Sequence, residues 1–191
     1  RQSQKILKDC KENLIKNLNF KLTNDQESAI KIINEDLKSK SRMFRLLQGD
    51  VGSGKTIVSM IAAVNSINAG YQAGFMVPTE ILAKQHFSFA SKYLPKNIKV
   101  QMLTGKSKFT ERKKILEDLK NGNIDFLIGT HSLFQKKVEY KKLGLIIIDE
   151  QHKFGVRQRK ELSEKGGNNC DVLVMSATPI PRTMMMTVYT L

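Results

Sequence analysis

Residues Gly49 to Thr56 read GDVGSGKT and satisfy the pattern G-x-x-x-x-G-K-[ST] at every fixed position. Glycines at this spacing let successive backbone N–H groups converge on phosphate oxygens, the lysine reaches the β and γ phosphates, and the following hydroxyl is a ligand for Mg²⁺. Gly49, Asp50, Val51, Gly52, Ser53, Gly54, Lys55 and Thr56 are therefore the candidate ATP-binding loop, with Lys55 also a catalytic candidate and Thr56 a metal ligand. The alternative is a glycine-rich turn before a helix; an apolar run before the loop and an amphipathic segment after it supply the context that confirms the motif. Further along, Leu145-Ile146-Ile147-Ile148 runs into Asp149-Glu150. Such a run predicts a buried central strand that delivers carboxylates to the C-terminal edge of a parallel sheet, where ligands bind. Asp149 is expected to hold Mg²⁺ and Glu150 to polarise the water that attacks the γ-phosphate. A strand ending in a solvated turn is the alternative for these two acids. Together the two motifs predict hydrolysis of a nucleoside triphosphate.

The elements that must carry these residues follow from periodicity. Residues 42–48 read as a strand, and residues 56–69 carry Ile57, Val58, Ile61, Ala62 and Val64 at helical spacing, so strand, loop and helix occur in the required order. Further strands are expected over 72–77, 98–103, 125–129, 145–149 and 171–176, with helical segments between most of them. That alternation predicts an α/β fold, a largely parallel sheet covered by helices on both faces. Thr23, three residues before Gln26, predicts a capping box that opens a helix with Ala29, Ile30, Ile33 and Leu37 inward. Residues 2–19 form a basic amphipathic segment, read as an N-terminal helix or a linker from an upstream domain. After Pro179-Ile180-Pro181, residues 182–191 read as an apolar-faced helix, with Met184, Met185 and Met186 as core packing.

Composition narrows the partners. The chain of 191 residues, 40% of them hydrophobic, can bury one substantial core. Cys10 and Cys170 stand far apart with no C-x-x-C spacing, which indicates neither a disulfide framework nor a zinc site and fits a reducing cytoplasm. No apolar stretch approaches the roughly 18 residues of a membrane span, and no secretory signal is visible. A net charge of +14 points to a polyanionic partner such as nucleic acid. Only seven of the 32 basic residues are Arg, so a lysine-rich composition without a binding groove remains the alternative.

Three motifs in order, GDVGSGKT, DEQH at Asp149 to His152 and Ser176-Ala177-Thr178, resemble motifs I, II and III of superfamily 2 helicases and translocases. More narrowly, LLQGDVGSGKT, PTEILAKQH, GTHSLFQ, IIDEQHKFGVRQR and SATPIPRT are similar to the RecG family of branch-migration helicases, over nearly all of residues 20–191. Lys153 and Ser176 depart from the Arg and Thr expected there and keep charge and hydroxyl. The transcription-repair coupling factor family shares part of the pattern, but it usually has an aromatic at Ser53 and a second acid at Gln151. A nucleotide- or nucleic-acid-binding module without coupled turnover is a further alternative. A small-molecule kinase or transporter ATPase also uses a phosphate loop, and DEQH followed by SAT disfavours it.

The resemblance implies a RecA-like P-loop NTPase domain over residues 20–191, with ATP and Mg²⁺ as cofactors. It further implies that Phe20 stacks on adenine and Gln26 reads its edge, a task that suits a primary amide because it donates and accepts at once. By the same resemblance Pro78, Thr79, Thr104, Gly105, Gly129 and Thr130 belong to motifs Ia, Ib and Ic and contact the phosphates of one DNA strand. Helix capping is the alternative at each. His152, Ser176 and Thr178 are the expected coupling residues between the γ-phosphate and DNA, and Gln85-His86 is read as structural. The implied activity is ATP-driven movement on double-stranded DNA, with branch migration of Holliday junctions and regression of stalled forks. Such motors place ATP between two RecA-like domains, the second of which supplies an arginine. The sequence therefore reads as the first motor domain only, expected to bind Mg-ATP weakly and to turn over very slowly by itself.

Overall fold

The computed structural model describes residues 21–135, 137–149, 170–177 and 187–190. Helix α1 (Asn24–Lys38) opens with the expected capping box. The Gln26 N–H donates to Thr23 Oγ1 at 3.3 Å, and the Thr23 N–H donates back to Gln26 Oε1 at 3.1 Å, so two N–H groups that no helical carbonyl can reach are satisfied. Ala29, Ile30 and Ile33 are buried, and α1 packs on α2 (Lys55–Asn68).

Seven strands form one sheet: β1 (Phe44–Gln48), β2 (Gln72–Met76), β3 (Val100–Leu103), β4 (Phe126–Gly129), β5 (Leu143–Asp149), β6 (Asp171–Ser176) and β7 (Thr187–Thr190). Their order is β3-β4-β2-β5-β6-β1-β7, and every pairing is parallel. Helices α3 (Glu80–Tyr93) and α4 (Phe109–Asn121) complete the layers. The two-residue period of the strands divides the core between the faces. Phe75, Ile147 and Leu173 pack with Val58, Ile61, Ala83 and Ala90 of α2 and α3. Met76, Ile146, Ile148, Val172 and Val174 pack with Ile115 and Leu119 of α4 on the opposite side. Buried on both faces, β5 is a continuous apolar run until it emerges at Asp149. The expected α/β architecture with helices on both faces is thus present.

One element differs from expectation. Residues 187–190, read as the end of a helix, form β7, which pairs in parallel with β1 from Arg45↔Thr187 to Gln48↔Thr190. Two Thr, a Val and a Tyr favour a pleated strand over a helix. Pairing there also satisfies the backbone edge that β1 would otherwise leave open. The expected N-terminal helix and the methionines at 184–186 lie outside the described residues. Among the described residues, no helix is long and apolar enough to cross a membrane.

Candidate functional site: a phosphate loop and two neighbouring strand ends

The loop after β1 has the backbone that phosphate binding requires. Gly52 and Gly54 adopt φ of 87° and 85°, the left-handed region that glycine enters at little cost. Gly54 is the N-cap of α2; its carbonyl accepts the N–H groups of Ile57 and Val58, no side chain caps the helix, and no acid stands in its first turn. The unbonded N–H groups of that turn and the helix dipole suit an anion. Lys55 Nζ folds over the loop and donates to the carbonyls of Gly49 at 2.6 Å and Asp50 at 2.7 Å. Asp50, Val51 and Gly52 are exposed, while Ser53 Oγ is buried without a hydrogen-bond partner among the described residues. This set of donors, with one hydroxyl unsatisfied among the described residues, has the chemistry that phosphate oxygens need. Thr56 is partly exposed, and its backbone carbonyl accepts Ser59 Oγ at 2.8 Å.

Gln26 is hydrogen-bonded to this loop. Its Oε1 is engaged by Thr23, and its Nε2 donates to the Ser53 carbonyl at 2.9 Å, so both ends of the amide expected to read adenine hold protein groups. Phe20 lies outside the described residues.

Asp149 stands at the C-terminal end of β5, level with Met175 of β6, while Gln48 is level with Ser176. Strand β6 therefore separates the carboxylate strand from the phosphate-loop strand. Ser176 is buried and its carbonyl accepts the Gly49 N–H at 3.2 Å, joining the first residue of the loop to the end of β6. Oxygen donors such as the Asp149 carboxylate and Thr56 hydroxyl have the hard character Mg²⁺ prefers. Sequence reasoning missed a side chain that faces Asp149: His86 of α3, whose Nε2 lies 3.7 Å from Asp149 Oδ2. Glu150, His152 and Thr178 lie outside the described residues.

On the other half of the same edge, β3, β4 and β2 end side by side, bringing together the three candidate DNA-contacting loops. Thr79 is exposed and caps α3, its Oγ1 accepting the Leu82 N–H at 3.3 Å, and Pro78 is partly exposed beside it. Gly105 is exposed. Thr104 and Thr130 are buried, and Gly129 is closed in by neighbouring strands; the Thr104 N–H donates to Ser107 Oγ at 3.2 Å. The exposed groups here also include Lys106, which pairs with Glu80 at 3.3 Å, Lys108, His131, and the apolar Ile81 and Phe109, 71% and 82% exposed. All of them stand within two to six residues of a strand end, which is the signal the sequence carries for them.

The DEAD/DEAH box helicase family profile matches residues 23–187. The chain is 55% identical over 172 residues to the ATP-dependent DNA helicase RecG of Streptococcus pneumoniae, covering 90% of this chain and 25% of that protein. It is 51% identical over 187 residues to RecG of Thermotoga maritima, covering 97% and 24% respectively. It thus spans about a quarter of the length of these curated relatives. Its fold is similar to that of RecG solved bound to a three-way DNA junction, with TM-score 0.79 and 49% identity, over 91% of this chain and 23% of that one. Mss116p bound to single-stranded RNA and AMP-PNP shares the fold, with TM-score 0.71 at 21% identity, over 89% of this chain and 38% of that one.

Proposed function

We propose, from the premise that the chain belongs to the DEAD/DEAH box helicase family, that it is the ATP-binding motor domain of a RecG-type DNA helicase. In this reading ATP hydrolysis drives movement along double-stranded DNA, and the parent protein remodels branched DNA such as Holliday junctions and stalled forks during repair and recombination in the cytoplasm. The observation that carries it is the placement, on one edge of a parallel sheet, of the Lys55 loop, the Asp149 carboxylate and three clustered strand-end loops.

Lys55 leaves the Gly49 and Asp50 carbonyls to bind phosphate oxygens, and the α2 first-turn N–H groups share that charge. Thr56 and Asp149 are the residues that would hold Mg²⁺. When bound, the ion neutralises phosphate charge and polarises the phosphoryl group. Glu150 would orient the attacking water and take up its proton. The Gly49-to-Ser176 hydrogen bond is the route by which a movement of the loop reaches motif III. An arginine of a second RecA-like domain would complete charge stabilisation, an interaction worth about 10³ to 10⁵ in rate. Polynucleotide phosphates would lie along the ends of β3, β4 and β2, positioned without reading of sequence.

Lys55→Ala tests this reading. Titration with a fluorescent ATP analogue should show at least about a tenfold loss of affinity, since charge-assisted phosphate bonds of about 1.5–3 kcal/mol disappear. The parent protein should lose ATPase activity stimulated by three-way junction DNA. An unchanged titration curve, or a wild-type ATPase indifferent to DNA, would refute the proposal.

A further inference from the structure

The imidazole of His86 faces the Asp149 carboxylate from helix α3 and makes no hydrogen bond to the phosphate loop among the described residues. Helix α3 buries Ala83 and Ala90 against the sheet, and His86 stands midway along that helix, between them. Its ring sits against Phe75 of β2, centroids 4.7 Å apart and tilted by 39°, and Phe75 in turn stacks on Phe126 at 6.4 Å. Aromatic contacts of this kind fix where the ring lies. Its Nε2 is buried and has no hydrogen-bond partner among the described residues. The group facing it is the Asp149 carboxylate, whose Oδ2 lies 3.7 Å away, with the two side chains 12% and 15% exposed. Among the described residues no other side chain pairs with that carboxylate. The two residues meet because β2 pairs directly with β5, where Met76 is level with Ile148, so the end of β5 faces the helix that follows β2.

We infer that His86 is the positioning residue of Asp149: its Nε2 holds one carboxylate oxygen and leaves the other for the magnesium-bearing nucleotide. The inference rests on the nucleotide-site reading above. A separation of 3.7 Å is beyond a direct hydrogen bond, which needs about 3.2 Å or less, and a small side-chain rotation closes it. The carboxylate of a strand-terminal Asp otherwise turns freely about two side-chain torsions. Groups that orient a ligand in this way are worth about 10- to 100-fold in metal affinity. A buried ring nitrogen facing a carboxylate is unexplained by packing alone, since a leucine or phenylalanine would fill the same space against Phe75.

Three variants of the full chain separate positioning from packing. His86→Phe keeps a ring against Phe75 and removes the nitrogen, His86→Gln returns an N–H at comparable reach, and Asp149→Asn removes the charge being positioned. The readouts are the affinity for a non-hydrolysable fluorescent ATP analogue with Mg²⁺ and with EDTA, and the melting temperature. The expected result is that His86→Phe loses about tenfold or more of the Mg²⁺-dependent affinity. Its EDTA affinity and melting temperature should stay at wild-type values, His86→Gln should recover most of the loss, and His86→Phe should have no further effect in Asp149→Asn. An unchanged Mg²⁺ increment in His86→Phe overturns the inference, and so does an equal loss with Mg²⁺ and with EDTA. A wild-type chain that binds no nucleotide at all overturns the underlying reading instead, and is recognised by the wild-type titration alone.

Discussion

The side-chain amide of Gln26 donates to the Ser53 carbonyl at 2.9 Å across 27 residues of sequence, tying the first turn of α1 to the phosphate loop. The same amide accepts the Thr23 N–H, so one side chain closes a helix cap and supports the loop. Gln26→Glu separates the two tasks. A carboxylate still accepts from Thr23 but cannot donate to Ser53 and instead faces its carbonyl. The expected outcome is a stability loss of about 1–2 kcal/mol with nucleotide affinity reduced about tenfold. Gln26→Ala should lose a similar stability through the missing cap. Thermal melting and nucleotide titration check both; wild-type melting in Gln26→Glu would mean the brace carries no energy.

Gly54 shows how closely the brace is fitted. Its φ is 85°, and a Cβ there would collide with the Gln26 amide, whereas Gly52 at 87° has nothing near the same position. Both Gly→Ala changes incur left-handed strain of about 1–2 kcal/mol. Only Gly54→Ala also displaces Gln26. It should therefore melt lower than Gly52→Ala, with at least about tenfold weaker nucleotide binding. Equal melting temperatures for the two variants would show that the amide moves aside freely.

Much of the fold and part of the site could be read from residue order alone, and the reasons are local. The phosphate loop, the capping box at Thr23 and the acid-terminated β5 each lie within one short window of fixed spacing. β7 was not legible because a short apolar run with no sustained period fits a strand or a helix equally, and the deciding fact is the open edge of β1. The pairing of His86 with Asp149 was invisible for a different reason: it depends on β2 lying beside β5, which no single segment encodes. The inward placement of Thr104 and Thr130 likewise follows from the crowding of three adjacent strand ends, where a threonine caps or fills before it can reach solvent.

Gly129 illustrates that crowding. It is level with Leu103 across β3 and β4, its carbonyl accepts the Val77 N–H at 2.9 Å, and a Cβ added to it would run into the Leu103 backbone carbonyl and the Leu133 side chain. Strand packing alone thus requires glycine, whatever nucleic acid does at this edge. Gly129→Ala should cost about 1–3 kcal/mol, because a backbone carbonyl yields only by moving the strand. Chemical denaturation should show the midpoint falling at unchanged slope. A midpoint within error of wild type would mean β3 can shift without penalty.

Asp171 gives the fold a pH dependence of definite sign. It opens β6, and its Oδ1 accepts the Met43 N–H at 2.7 Å. Burial pushes its carboxyl above the ordinary carboxylate value; the Met43 N–H and Arg42 pull it down, and Asp36 adds to the rise. A group whose pKa is raised by folding contributes stability that is fully present below its unfolded value, near 3.9, and is lost as pH rises through the folded value. Asp171→Asn keeps the acceptor for Met43 and cannot ionise. The variant should therefore match wild type near pH 3.5 and become the more stable of the two as pH rises toward 7. Denaturant unfolding at a series of pH values measures the difference directly, since titrations common to both proteins cancel. A difference that stays flat across this range, or that favours wild type as pH rises, would show that the Met43 N–H and Arg42 outweigh burial at this strand end.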